Sequence, residues 1–174
     1  MLKIDIENTE KLTRAISMLS ERELYKAIGA AGKRAARHGV TVGSKKLREV
    51  YNIKAGIAKR HMMVKADRPI ETIIRIEGTP ERVQNFRGTQ RRKSGIFVSI
   101  KKGSGGVIPR SFTKGGVFLM REGADRYPLK GIYGPSVPQM FDEDSVIEAA
   151  SDAMLEKYEE RIIQELSWRI GGKT

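Results

Sequence analysis

The side chains that most often carry chemistry are scarce in this chain. Cysteine is absent and His38 and His61 are the only histidines, so disulfides, thiolate zinc sites and a cysteine nucleophile are excluded. Neither histidine has a carboxylate or a second histidine at metal-ligand spacing, and each is expected at a surface or an interface. Gly29-Ala30-Ala31-Gly32-Lys33 places glycines before a lysine. A Walker A loop, however, needs four residues between its glycines and a Ser or Thr after the lysine, and here Arg34 follows. Gly103-Ser104-Gly105-Gly106 joins two expected strands and lacks the helix N-terminus that would hold a phosphate. Asp142, Glu143 and Asp144 could take magnesium in a nuclease, yet acids opening a helix are what its macrodipole favours. No serine stands in a Gly-x-Ser-x-Gly frame. Catalysis is therefore not expected, and neither is a metal, a cofactor or a small-molecule substrate.

What remains is charge. Arg82, Arg87, Arg91, Arg92 and Lys93 lie between two expected strands with Gln84, Asn85, Thr89 and Gln90 among them. Guanidinium and amide groups on a loop contact phosphates without reading sequence. Arg87, Arg91, Arg92 and Lys93, with Lys101 and Lys102 of the next connection, are the expected nucleic-acid contacts. Phe86 is the one aromatic ring in the loop able to stack on a base, which argues against specific single-strand recognition.

The whole chain is charged to match. Its 174 residues carry 33 Lys and Arg against 21 Asp and Glu, a net +12, and such a balance points to a polyanion. The excess is uneven: residues 33–65 hold ten bases and one acid, 82–130 twelve and two, and 142–174 four and nine. A basic body with an acidic tail helix suits a nucleic-acid contact or head-to-tail contact between copies. Glu156, Glu159 and Glu160 are the expected acidic side of such an oligomer interface.

The elements that must position these groups read as α+β. Leu2, Ile4 and Ile6 suggest a short strand, Asn8 or Thr9 a cap for a helix to about Leu19, and Ser20-Glu21-Arg22-Glu23 a capping box. In the helix that follows, Leu24, Ile28, Ala31, Ala35 and Val42 share a face, with Lys26, Lys33, Arg37 and Arg48 nearly opposite. Gly32, Ala36, Gly39 and Gly43 flank the apolar stripe, where a backbone could approach closely; the expected element is one long N-terminal helix, with the cost of glycine arguing for a break near His38-Gly39 as the alternative. β-Branched runs from Met62 to Ile76, Ile96–Ile100, Val107-Ile108 and Gly116–Arg121 form an antiparallel meander. Val146, Ala150, Met154, Tyr158, Ile162, Leu166 and Ile170 recur at a four-residue step that only a helix gathers. The expected organisation is one domain, 1–174: helical 8–50, β-rich 61–121, a Gly/Pro loop 122–141 and a C-terminal amphipathic helix 142–170. No apolar run suits a signal peptide or a membrane span, so a soluble protein made in a cytoplasm is expected.

Several segments carry a resemblance. Tyr51-Asn52-Ile53-Lys54, the run from Phe86 through Arg87-Gly88-Thr89-Gln90-Arg91-Arg92-Lys93 to Gly95, Val107–Phe112, Gly116-Val117-Phe118 and above all Tyr127–Phe141 resemble the minor tail protein Z family of lambda-like, long-tailed phages. The most specific part is Tyr133-Gly134-Pro135-Ser136-Val137-Pro138-Gln139. The resemblance implies a structural virion protein acting in tail completion near the head–tail joint, without catalysis or cofactor. It implies a place in the tail or neck after assembly in the bacterial cytoplasm, other tail or neck proteins as partners, and Tyr133, Gly134, Pro135, Pro138 and Gln139 in a structurally important connection. The expected protein joins or forms a ring around the DNA channel and meets passing duplex non-specifically. The competing expectation is a cellular nucleic-acid-binding module without sequence preference, with a nuclease third.

Overall fold

The computed structural model describes Thr13, Ser17, residues 19–68 and residues 70–171. The strand expected at Leu2–Ile6 lies outside the described residues, as does most of the helix expected before Leu19. The class is α+β, with a long N-terminal helix, small antiparallel sheets and a C-terminal helix.

Helix α1 spans Glu21–Val50. At its start Glu23 N and Leu24 N donate to Ser20 O at 2.9 and 3.0 Å, and Ser20 Oγ donates to Glu23 Oε2 at 3.3 Å, contacts other than the reciprocal side-chain-to-backbone bonds of the expected capping box. The helix does not break at His38-Gly39, and its buried stripe differs from the expected one. Ala27, Ala31, Ala35, Gly39, Gly43 and Leu47 are buried at a constant four-residue step, while Leu24, Ile28 and Val42 are half-buried. The glycines are the packing surface itself. A Cβ on Gly43 would stand 2.8 Å from Phe141 Cε2 and 3.1 Å from Ala150 Cβ, so tertiary contact at this position outweighs the propensity cost that argued for a break.

The chain divides into two compact units. The first comprises residues up to 39, 64–74 and from 152 onward. Among its described residues the buried apolar groups are Ala27, Ala31, Ala35, Ala36 and Leu166. Glu165 is buried with them, its carboxylate held by Arg34 and by Arg169 one turn further along its own helix.

The second unit comprises residues 40–63 and 75–151. One core cluster gathers Leu47, Ile53, Ala58, Met62, Phe86, Val137, Met140 and Val146, and another Val83, Ile96, Val98 and Ile132. Around them lie α2 (Ala55–Arg60), β1 (Met62–Arg68), β2 (Glu71–Ile76), a 3-10 turn at Val83–Asn85, β3 (Gln90–Arg92), β4 (Gly95–Val98), β5 (Gly106–Ile108), β6 (Ser111–Lys114), β7 (Val117–Arg121), β8 (Leu129–Gly131) and α3 (Val137–Phe141). Of these, β1 and β2 run on into the first unit. Helix α4 (Asp144–Gly171) carries the expected stripe, with Val146, Ala150 and Leu166 buried and Met154, Tyr158, Ile162 and Ile170 half-buried.

The meander keeps its sequential antiparallel order but divides its hydrogen bonds among three sheets, β1-β2, β3-β4-β5 and β6-β7-β8. Arg110, with φ +57°, turns the chain out of the second sheet. Ser111 then closes the seam: its hydroxyl accepts from Ile96 N at 2.7 Å and donates to Ile108 O at 2.5 Å. The expected loop 122–141 contains β8 and α3, because Leu129–Gly131 can serve as an edge strand directly after Pro128.

Candidate nucleic-acid interface

The cationic residues are presented by the β3-β4-β5 sheet. In the β3–β4 hairpin Gln90 pairs Phe97, Arg91 pairs Ile96 and Arg92 pairs Gly95, leaving Lys93-Ser94 as the turn. Gly95 has φ +142°, and a Cβ there would collide with the Ile108 carbonyl oxygen. A glycine is therefore required where the hairpin turns back. Arg91, Arg92 and Lys93 are all exposed at this tip, and the Arg92 guanidinium lies 4.1 Å from the Phe97 ring centroid.

The other three expected contacts lie at the opposite end of the same sheet, roughly 13 Å away for four residues of strand. Arg87 N donates to Asn52 O at 2.7 Å and Lys102 N to Val50 O at 2.8 Å, while Tyr51 and Lys101 form a backbone bridge. The end of α1 thus fixes both segments. Here the two lysines part company. Lys101 Nζ donates to both Glu143 carboxylate oxygens at 3.2 Å, and Tyr51 Oη donates to Glu143 Oε2 at 3.1 Å. The Lys101 and Tyr51 hydrogen bonds hold the Glu143 carboxyl below its ordinary range, while burial and then Glu143 push the Tyr51 phenol up. Lys101 is internally neutralised. Among the described residues, Arg87, Arg91, Arg92, Lys93 and Lys102 make no ion pair and are exposed.

Phe86 is 1% exposed and sits in the core, so it cannot stack on a base as the sequence had suggested. An apolar ring between a glycine-rich turn and a strand is as good a core anchor as a stacking platform, and burial decides between them. The three acids before α4 also separate: Asp142 caps α3, Glu143 serves Lys101 and Tyr51, and Asp144 begins α4. Among the described residues no cluster of His, Asp and Glu is placed to hold a metal, and no helix is long and apolar enough to cross a membrane.

The Tyr133–Gln139 connection is tied down by backbone. Gly134 N donates to Glu81 O at 2.7 Å, Glu81 N to Pro135 O at 3.5 Å, and Arg82 bridges Tyr133. A Cβ on Gly134 would stand 2.9 Å from Ile100 and 3.0 Å from Phe86, so close approach requires the glycine. Ser136 then caps α3: Gln139 N donates to Ser136 Oγ at 3.4 Å, and Ser136 N donates to Gln139 Oε1 at 2.9 Å. Pro138 occupies the first turn, where its missing N–H costs nothing. Tyr133 itself is 52% exposed.

Two polar clusters were not visible in the sequence. His61 Nε2 lies 2.7 Å from Glu81 Oε1, and its Nδ1 is 2.7 Å from Glu77 O, so both ring nitrogens face acceptors. Asn85 Nδ2 donates to the other Glu81 oxygen at 2.5 Å. Glu77 N donates to His61 O at 3.0 Å, continuing the β1–β2 pairing by one step, and Gly78-Thr79-Pro80 then leads the chain to Glu81. In the other cluster Glu165 and Arg169 are an i,i+4 pair on α4, but Arg34 joins them from about 130 residues away, beyond any local pattern. Of the acidic residues expected at an interface, all three are exposed, but Glu160 pairs with Lys157 at 2.5 Å and Arg161 at 3.9 Å, leaving Glu156 and Glu159 without an ion pair among the described residues.

No protein-family model matches the chain, and no curated protein or solved structure does either.

Proposed function

We propose that the chain is a structural virion protein of a long-tailed phage that acts in tail completion, near the head–tail joint, and joins or forms a ring around the DNA channel. The observation that carries this reading is the chemistry of the β3-β4-β5 sheet. Among the described residues these five exposed cations lack counter-ions, and the nearby rings are buried (Phe86), covered by an arginine (Phe97), or half-buried and bonded to Glu143 (Tyr51). Such a surface contacts phosphates and releases counterions but has nothing with which to read bases. A channel that DNA must traverse requires that combination, since a snug groove with base contacts would retain the duplex. The segment resemblance supports the virion assignment, and the rigid Tyr133–Gln139 connection supports a structural role for its most specific part.

The test is complementation in the phage or prophage that encodes the chain. Deleting the gene should leave heads and tails of normal length but few infectious particles, and the wild-type gene supplied in trans should restore them. The Arg87, Arg91, Arg92 and Lys93 quadruple alanine variant should fold normally yet fail to restore them. Full infectivity from the deletion would overturn the virion reading in favour of a cellular nucleic-acid-binding module. Full infectivity from the quadruple variant would instead assign the basic loop to an acidic neighbour protein.

A further inference from the structure

The first unit carries a groove and, on another helix, a surface of matching length and opposite charge. The early turns of α1 line an open cavity of about 720 Å³ in which Gly29 and Ala30 leave a recess, Tyr25 forms a wall with its hydroxyl donating to Glu21 at the edge, and Arg22, Lys26 and Lys33 are exposed. Among the described residues none of these three cations is in an ion pair. Arg169 also lines the groove, with its charge taken by Glu165, and beside it Trp168 is 73% exposed. An apolar recess edged by free cations and flanked by exposed aromatic rings has the composition of a binding interface and not of a solvated helix face.

The complement lies on α4. Ile163 is 55% exposed, and at about 100° per residue Glu156 falls within about 20° of it and Glu159 within about 40°. An isoleucine thus shares a helix face with two carboxylates that, among the described residues, have no ion-pair partner. Glu156 to Ile163 covers roughly 10 Å of helix and Arg22 to Lys33 roughly 16 Å, so the face fits within the groove. Small residues on one side and a branched apolar side chain on the other permit close helix packing. Desolvating Ile163 and the Gly29–Ala30 recess supplies the apolar gain, and Glu156 and Glu159 reach the cations at the rim.

We propose that the α1 groove of one copy receives the Glu156–Ile163 face of α4 from a second copy. The two surfaces use different residues, so the contact is heterologous: each copy offers one groove and one face, and assembly propagates until the rotation closes a ring. The inference deepens the self-association in the proposed function and rests on no property of DNA or of a virion. It also corrects which acids matter, since Glu160 is spent on Lys157 and Arg161.

The experiment is sedimentation velocity on the purified full chain from micromolar to near-millimolar concentration, with two variants at exposed positions. Lys26→Glu with Lys33→Glu disables the groove, and Ile163→Glu disables the face. Circular dichroism melting checks that each remains folded. Wild type should associate with concentration, and each variant should associate more weakly by at least about tenfold. An equimolar mixture of the two variants should form a dimer and stop there, because only one intact groove and one intact face remain. A wild type that stays monomeric throughout, a variant that associates as wild type does, or a mixture that stays monomeric overturns the proposal. Duplex binding measured on the same variants separates this from the proposed function: unchanged DNA affinity with no assembly defect sinks the groove assignment alone, and lost DNA affinity in the wild type sinks the channel reading alone.

Discussion

The two units bury opposite kinds of side chain. The second fills two clusters with Leu47, Ile53, Phe86, Met140, Ile96 and Ile132, whereas the buried apolar residues described in the first are four alanines and Leu166. Exposure separates them less: the first unit displays Tyr25, Ile70, Ile73, Ile163 and Trp168 at 37 to 73%, and the second Met63, Tyr127, Tyr133 and Ile147 at 39 to 59%. An alanine stripe brings backbones close but removes little apolar area from water, and burial of large side chains is what stabilises a fold in isolation. The second unit is thus a self-sufficient platform for its cationic sheet. The first holds fewer large side chains among its described buried residues.

The strongest test of that contrast is truncation in each core. Phe86→Ala should cost about 3–5 kcal/mol in denaturant unfolding, since the ring is fully buried. Ile162→Ala should cost under about 2 kcal/mol, because Ile162 is half-buried. Equal losses would show that the first unit has a core as dense as the second. A smaller effect is expected from Gly43→Ala, which places a methyl group 2.8 Å from the Phe141 ring. Overpacking should exceed the roughly 1 kcal/mol of helix propensity gained and leave a net destabilisation of about 1–2 kcal/mol. A raised melting temperature would mean that the α1 glycines are not packing positions.

How much of this was legible in the sequence depended on the distance over which the deciding contact acts. The α4 stripe follows from a four-residue step, and the Lys101–Gly106 connection from local chemistry, so both appeared as expected, whereas β3 and its turn at Lys93-Ser94 lie in a stretch that reads as a loop. The long α1 was expected as well, but the reason that Gly43 does not break it was not legible, because Phe141 and Ala150 lie about a hundred residues away. The separation of the second sheet from the third lies at Arg110, with φ +57°, and the Ser111 hydroxyl that closes their seam is marked by no periodicity. The cationic site was found as a list of residues, but its availability was not. Lys101 reads like Lys102 until Glu143 is folded against it, and Phe86 reads like a stacking ring until it is seen in the core.

A finer test concerns how the platform is closed. Ser136→Ala removes the acceptor for Gln139 N and should cost about 1 kcal/mol, seen as a lower unfolding midpoint. The effect should be confined to stability, with DNA affinity unchanged.

The smallest effect expected is on pH dependence. Glu143 titrates below its ordinary range in the folded protein. Its contribution is therefore present above the unfolded carboxylate range and is lost as pH falls through the folded value. Glu143→Gln should lower stability at neutral pH and lose part of the stability change between pH 6 and pH 3 that wild type shows. Identical acid profiles would mean that the Lys101–Glu143–Tyr51 cluster does not fasten the sheet to the end of α1.

The most direct test of the platform's role is the salt dependence of binding to duplex DNA, measured by fluorescence anisotropy on two unrelated sequences. Five free cations predict a log–log slope near −4.5, at roughly 0.9 per phosphate neutralised, with equal affinity for both sequences. The Arg87, Arg91, Arg92 and Lys93 quadruple alanine variant, retaining Lys102, should fall to a slope near −1. A slope left unchanged by the four substitutions, or a strong preference for one sequence, would contradict the assignment of this sheet as a phosphate-contacting surface that does not read bases.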